Sequence, residues 1–137
     1  MEQYLSDEAA MEACGKQLAL LVKPPFVIYL TGQLGAGKTT WVRGFLRGLG
    51  AVGLVKSPTF TLVEEYELNI GMVYHFDLYR VNDPRELQHI GIESYFHPQS
   101  IVLIEWPEQG KGFLAPCNWQ LSFKITESGR LLTLIEN

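Results

Sequence analysis

Apolar residues fall into short blocks separated by polar turns, and the spacing inside each block says what it builds. Between Asp7 and Val22, the residues Ala10, Cys14, Leu18 and Leu21 recur at three- and four-residue intervals, which predicts a helix with one apolar face. Ser6 stands where an N-cap belongs, Asp7 and Glu8 put negative charge in the first turn, and Lys23-Pro24-Pro25 ends the helix. Residues 26–31 (FVIYLT) are an unbroken apolar run rich in β-formers, which predicts a buried strand. From Lys38 the period returns to helical, with Trp41, Phe45 and Leu49 on one face and Gly50 as the stop. Residues 61–68 and 72–79 predict an antiparallel hairpin turning at Asn69-Ile70-Gly71. A helix over 83–91, capped by Asp83 and stopped by Gly91, comes next. Residues 100–106 (SIVLIEW) predict another buried strand, and 118–126 with 130–136 a last hairpin turning at Ser128-Gly129. Nothing in this pattern repeats, and no low-complexity linker interrupts it. The expectation is one α/β domain over residues 1–137 with a mixed sheet.

Composition narrows the function. The chain has 137 residues, 11 Lys and Arg against 15 Asp and Glu, and a formal net charge of −4. It has no basic run, so direct high-affinity binding of nucleic acid is not expected. The opening MEQYLSDE has no apolar signal core, and LALLV is cut off by KPP well short of the ~20 residues of a membrane span. A soluble cytoplasmic protein is therefore expected. Cys14 and Cys117 read as reduced thiols. His75, His89 and His97 show no metal-ligand spacing and read as structural or surface residues.

The chemistry sits in GQLGAGKTT, residues 32–40, which matches the phosphate-loop pattern in full through Gly32, Gly37, Lys38 and Thr39. Glycines let backbone N–H groups turn inward around phosphate oxygens, and the following helix points its positive end at the same anion. Gly35, Ala36 and Thr40 belong to that cradle; Lys38 is expected on the β and γ phosphates and the Thr39 hydroxyl on Mg²⁺. The strand before the loop and the helix after it are the context this motif requires. Such a site also needs a carboxylate at the end of a neighbouring strand. Asp77 and Glu105 each end an apolar strand, and the residues alone do not rank them: one holds the metal, the other orients water. Thr59, in KSPTF, is either a γ-phosphate sensor or an ordinary threonine at the start of a strand. Arg80 reads as a structural partner of a carboxylate rather than a stabiliser of phosphoryl transfer, and Trp106 as packing or partner-facing rather than base-stacking. No guanine-reading NKxD occurs, so adenine is the expected base, with Tyr4 offering a flat face and Glu8 or Arg130 a polar contact.

Taken together and in order, GQLGAGKTT, KSPTFTLVEEY, YHFDLYR and LIEWPE resemble the TsaE family, formerly YjeE, over about Tyr4 to Arg130. These are small bacterial ATPases needed to make threonylcarbamoyladenosine in tRNA. The resemblance implies a P-loop NTPase-like three-layer α/β sandwich with a mixed central sheet. It implies binding of ATP or ADP with Mg²⁺, weak ATP hydrolysis, and TsaB and TsaD as protein partners that carry out the transfer, with tRNA met only indirectly. It also ranks the carboxylates: Thr39 and Glu105 match the family's metal residues, Asp77 the carboxylate needed for hydrolysis, and Thr59 the switch-like threonine. Gln33 departs from the pattern, an acidic residue being common there. Two alternatives stand beside this reading: a small-molecule kinase, for which the chain is short of a lid, and a nucleotide switch without turnover.

Overall fold

A computed structural model describes residues 1–58 and 61–137. Seven strands form one sheet in the order β1-β7-β6-β2-β5-β4-β3. The two apolar runs at its centre are β2 (Phe26–Gly32) and β5 (Ser100–Glu105), whose residues pair in parallel. β4 (Gly71–Asp77) lies parallel to β5 on one side, and β6 (Trp119–Ile125) lies parallel to β2 on the other. The outer strands run antiparallel: β3 (Val63–Leu68) beside β4, β7 (Arg130–Glu136) beside β6, and β1 (Glu2–Leu5) beside β7. The sheet is mixed, as expected. β1 was not expected: its first three residues are exposed and only Leu5 is buried, so it carries no apolar signature of its own.

Two helices cover one face, α1 (Glu8–Ala19) and α2 (Lys38–Gly48). Odd-numbered residues of β4 and β5 (Val73, Ile101, Leu103) and even-numbered residues of β2 (Ile28, Leu30) pack into their core with Trp41 and Phe45. The indole of Trp41 stacks on the Phe45 ring at 4.9 Å between centroids. Glycines let the two helices approach backbone to backbone. A Cβ added at Gly15 would lie 2.8 Å from the Phe45 nitrogen, and one at Gly48 would lie 2.6 Å from the Lys16 carbonyl oxygen. Even-numbered Phe76, Val102 and Ile104, with Val27 of β2, pack on the other face against α3 (Glu86–His89) and two 3₁₀ turns at Ile92–Tyr95 and Pro107–Gly110. This third layer is thin, one short helix and two turns against two long helices opposite.

Three local expectations shift. The cap of α1 is Asp7, whose carboxylate accepts from the Ala10 N–H at 2.8 Å, not Ser6. The helix stops at Ala19, and Leu21, expected on its apolar face, is 69% exposed. The expected helix over 83–91 is helical only at Glu86–His89; Asp83 instead starts a turn, accepting from the Arg85 N–H at 3.0 Å. Gly91 does stop it, in the left-handed conformation. Among the described residues no helix is long and apolar enough to cross a membrane.

Candidate functional site

The phosphate-loop residues follow β2 at its carboxyl end. Gly32 closes the strand at φ +148°, and a Cβ there would lie 2.6 Å from the Phe123 carbonyl oxygen. Gly37, at φ +104°, is the N-cap of α2 and brings no side chain to cap it. The first-turn N–H groups of a helix have no partner within it, so those of Lys38, Thr39 and Thr40 need an acceptor from outside the helix. An anion fits there, at the positive end of the dipole. Gly35, Gly37, Lys38, Thr39 and Thr40 all line a cleft of about 630 Å³. Gly32 and Ala36 stand behind it, Gly32 within the strand and Ala36 buried in the core.

β4 and β5 deliver the two carboxylates to the same cleft. Asp77 ends β4 and Glu105 ends β5, and the parallel register sets them side by side as paired residues. Side chains alternate across a sheet, so His75, two residues before Asp77, lies on their face, the face that α1 and α2 cover. His75 is fully buried, and its Nε2 is 2.6 Å from Glu105 Oε2. The sequence reading took His75, like the other histidines, for a structural or surface residue and gave it no part in the site. The H-x-D alternation along an apolar strand was the available signal.

Lys38 is 5% exposed. Its ammonium donates to the Gly32 carbonyl and, at 3.3 Å, to that of Gln33. It also sits 4.4 Å from the ring centroid of Trp106. Trp106 in turn packs on Tyr79 at 4.9 Å, so it braces the lysine, in line with its reading as a packing residue. Gln33 meets Lys38 through its main chain, so the departure at this position leaves that contact unchanged. Burial lowers the Lys38 pKa, opposed by the negative charges of Glu105, Asp77 and Glu108. Burial raises that of Asp77, helped by the nearby Glu105 charge and opposed by the Tyr79 N–H bond, His75 and Lys38.

The opposite wall comes from the N-terminus of α1 and the β6–β7 turn, with Asp7, Glu8, Glu127 and Arg130 on the cleft. Arg130 donates to the Gly35 carbonyl at 3.1 Å, joining the turn to the phosphate loop. Tyr4 is half-exposed at the rim, its hydroxyl 2.8 Å from the Ser128 hydroxyl, which is itself on the cleft. The three residues suggested for the adenine end, Tyr4, Glu8 and Arg130, thus gather at this wall. The turn itself, and Asp7, were not foreseen as part of a site. Arg80 is exposed beyond the end of β4. Thr59 lies outside the described residues.

The cleft carries five carboxylates (Asp7, Glu8, Asp77, Glu105, Glu127) and two cations (Lys38, Arg130). A polyphosphate entering it needs a further positive charge. Mg²⁺ fits: it takes one or two carboxylates and otherwise phosphates and water, not an all-protein cage. Among the described residues no three His, Cys, Asp or Glu side chains form such a cage.

Comparison with known proteins bears on the family and the fold. The family model described as "Threonylcarbamoyl adenosine biosynthesis protein TsaE" matches residues 5–132. A Haemophilus influenzae protein named tRNA threonylcarbamoyladenosine biosynthesis protein TsaE is 46% identical over 98% of this chain and 89% of its own. A Bacillus subtilis protein of the same name is 45% identical over 69% of this chain and 59% of its own. The crystal structure of Bacillus subtilis YdiB superposes with a TM-score of 0.84 at 31% identity, covering 99% of this chain and 84% of that one. The chain belongs to the TsaE family of threonylcarbamoyl adenosine biosynthesis proteins.

Proposed function

We propose that this protein is a weak Mg²⁺-dependent ATPase of the cytoplasm that serves the formation of N6-threonylcarbamoyladenosine beside the anticodon of tRNA. Its ATP cycle supports the TsaB and TsaD proteins, which carry out the transfer. Membership of the TsaE family supports the pathway. One observation carries the activity: Lys38, at the start of α2 just past the end of β2, meets Asp77 and Glu105, at the ends of β4 and β5, in a single cleft beyond the carboxyl ends of adjacent parallel strands, the place where open α/β sheets bind ligands.

In this reading the loop N–H groups from Gly35 to Thr40 hold the phosphates, and Lys38 turns from the Gly32 carbonyl to the β and γ oxygens. Thr39 and Glu105 would hold Mg²⁺, which when bound offsets the charge that builds on the phosphate oxygens. Asp77 orients the attacking water; the Tyr79 N–H at 3.1 Å fixes one of its oxygens and leaves the other for that task. Tyr4, Glu8 and Arg130 contact the nucleoside end. Thr59 is the proposed switch threonine. The acidic surface suits protein partners rather than bare RNA.

The test is ATP hydrolysis by the pure protein, alone and with purified TsaB and TsaD. Slow turnover that rises with the pair is the expected result. Bound ATP with no turnover in either case would replace the ATPase with a nucleotide switch. A phosphorylated small acceptor would replace it with a kinase.

A further inference from the structure

We infer that His75 is a positioning residue for the metal carboxylate. Its imidazole fixes Glu105 so that one oxygen, Oε1, is left to the cation. This rests on the metal role proposed for Glu105. His75 is 0% exposed and Glu105 4%, and Nε2 and Oε2 are 2.6 Å apart. That is the short distance of a charge-assisted bond. Nδ1 is buried and, among the described residues, has no hydrogen-bond partner. The tautomer follows from this asymmetry: the proton sits on Nε2 and is donated to the carboxylate, because an N–H at Nδ1 would be buried with nothing to accept it.

The backbone makes the arrangement rigid. His75 pairs with Leu103 across the β4–β5 ladder, one pleat before the Asp77–Glu105 pair, so the contact is diagonal on one sheet face. Phe76 and Ile104, the residues between, are fully buried on the opposite face. Neither strand can slide without moving a closed core. A glutamate has three rotatable bonds, and a lone Glu105 would sample rotamers in a cleft that holds four other carboxylates. The imidazole removes that freedom before any cation arrives. Carboxylates that ligate metals are themselves held by outer hydrogen bonds, and loss of such a partner costs roughly 10–100-fold in metal affinity. His75 touches neither nucleotide nor water in this scheme; its effect passes through Glu105 alone.

The experiment measures Mn²⁺ binding in the presence of ADP by electron paramagnetic resonance, on the full chain. The variants are His75→Leu, His75→Gln and Glu105→Gln. ADP affinity in EDTA is measured in parallel. His75→Leu is expected to weaken Mn²⁺ by roughly 10–100-fold with metal-free ADP affinity unchanged. His75→Gln, whose amide nitrogen reaches the place of Nε2, is expected to restore most of it. Wild-type Mn²⁺ affinity in His75→Leu, or no recovery in a folded His75→Gln, would overturn the positioning role and leave the ATPase reading intact. Equal Mn²⁺ binding by wild type and Glu105→Gln would instead remove the metal role of Glu105, and this inference with it. Should His75→Leu fail to fold, the imidazole ¹⁵N spectrum of the wild type decides. A protonated Nε2 whose signal moves when Mg²⁺ joins bound ADP is expected, and an unprotonated Nε2 or an unmoved signal overturns the proposal.

Discussion

Replacing Gly44 by alanine sets two sizeable effects against each other. In a helix interior alanine is favoured over glycine by about 0.8–1 kcal/mol. Gly44, however, faces the backbone of α1. A Cβ there would lie 2.7 Å from the Glu12 carbonyl carbon and 2.9 Å from its Cα, where ordinary contact begins at 3.4 Å, and closer still to the carbonyl oxygen. The helices must therefore part by at least about 0.7 Å at this point. No rotamer can relieve the contact, because both sides are main chain, and parting also strips contact from Trp41 and Phe45 beneath. Overpacking of a core costs ~1–3 kcal/mol, and a backbone clash belongs at the top of that range. The net expectation is a loss of about 2 kcal/mol, which for a chain of this size lowers Tm by ~8 °C. Thermal and urea unfolding of the two proteins measures it, with the midpoint falling and the urea slope unchanged. Glu12→Ala is the companion. It removes only a half-exposed side chain 3.7 Å from Arg43, for which about 0–1 kcal/mol is expected. Since α1 carries Glu8 and Met11 of the cleft and α2 carries Lys38 to Thr40, Gly44→Ala should also weaken nucleotide binding. A Tm equal to or above that of wild type would refute the reasoning: propensity would have won, and the helix interface would have slack.

Lys38→Ala should weaken ATP by at least ~100-fold, since two charge-assisted hydrogen bonds at ~1.5–3 kcal/mol each are lost; equal affinity in titration calorimetry would sink this role. Asp77→Asn should bind ATP normally but stop hydrolysis, and full turnover without the carboxylate would remove it from the mechanism. The same variant should melt higher than wild type at pH 7. Burial raises the folded pKa of Asp77 above its unfolded value, so the ionised carboxylate destabilises the fold. That penalty is complete above the raised pKa and vanishes below the unfolded one, so the gain in Tm should fade as the pH is lowered through that window. A gain that is constant with pH would point to packing instead. Removing divalent cations with EDTA should abolish hydrolysis, and turnover that survives it would contradict the need for Mg²⁺.

The parts of the site that one segment can announce were legible, and the parts made by two distant segments were not. GQLGAGKTT carries its meaning in nine consecutive residues, and the runs flanking it form β2 and α2 within a residue or two of the expected bounds. Asp77 and Glu105 were legible as strand ends, because β4 and β5 are buried enough to read as apolar runs. That they stand side by side depends on the parallel pairing of two strands nearly thirty residues apart, which spacing alone does not state. His75 was passed over for the same reason. A buried histidine in an apolar run looks structural until the strand bearing its carboxylate is laid beside it. β1 is the extreme case, since four residues with one buried side chain are a strand only because β7 is there to pair with them. That pairing has a functional result, for it sets Ser6, Asp7 and Glu8 against the turn at Glu127–Arg130 and so builds the second wall of the cleft. The glycines of α2 carry a local signal of a different kind. Gly44 and Gly48, four apart, share one helix face and invite a close neighbour, while the apolar period alone draws the eye to Trp41 and Phe45. Local chemistry therefore marks the floor of the cleft. Its second wall, and the imidazole that holds its metal carboxylate, exist only once the sheet has closed.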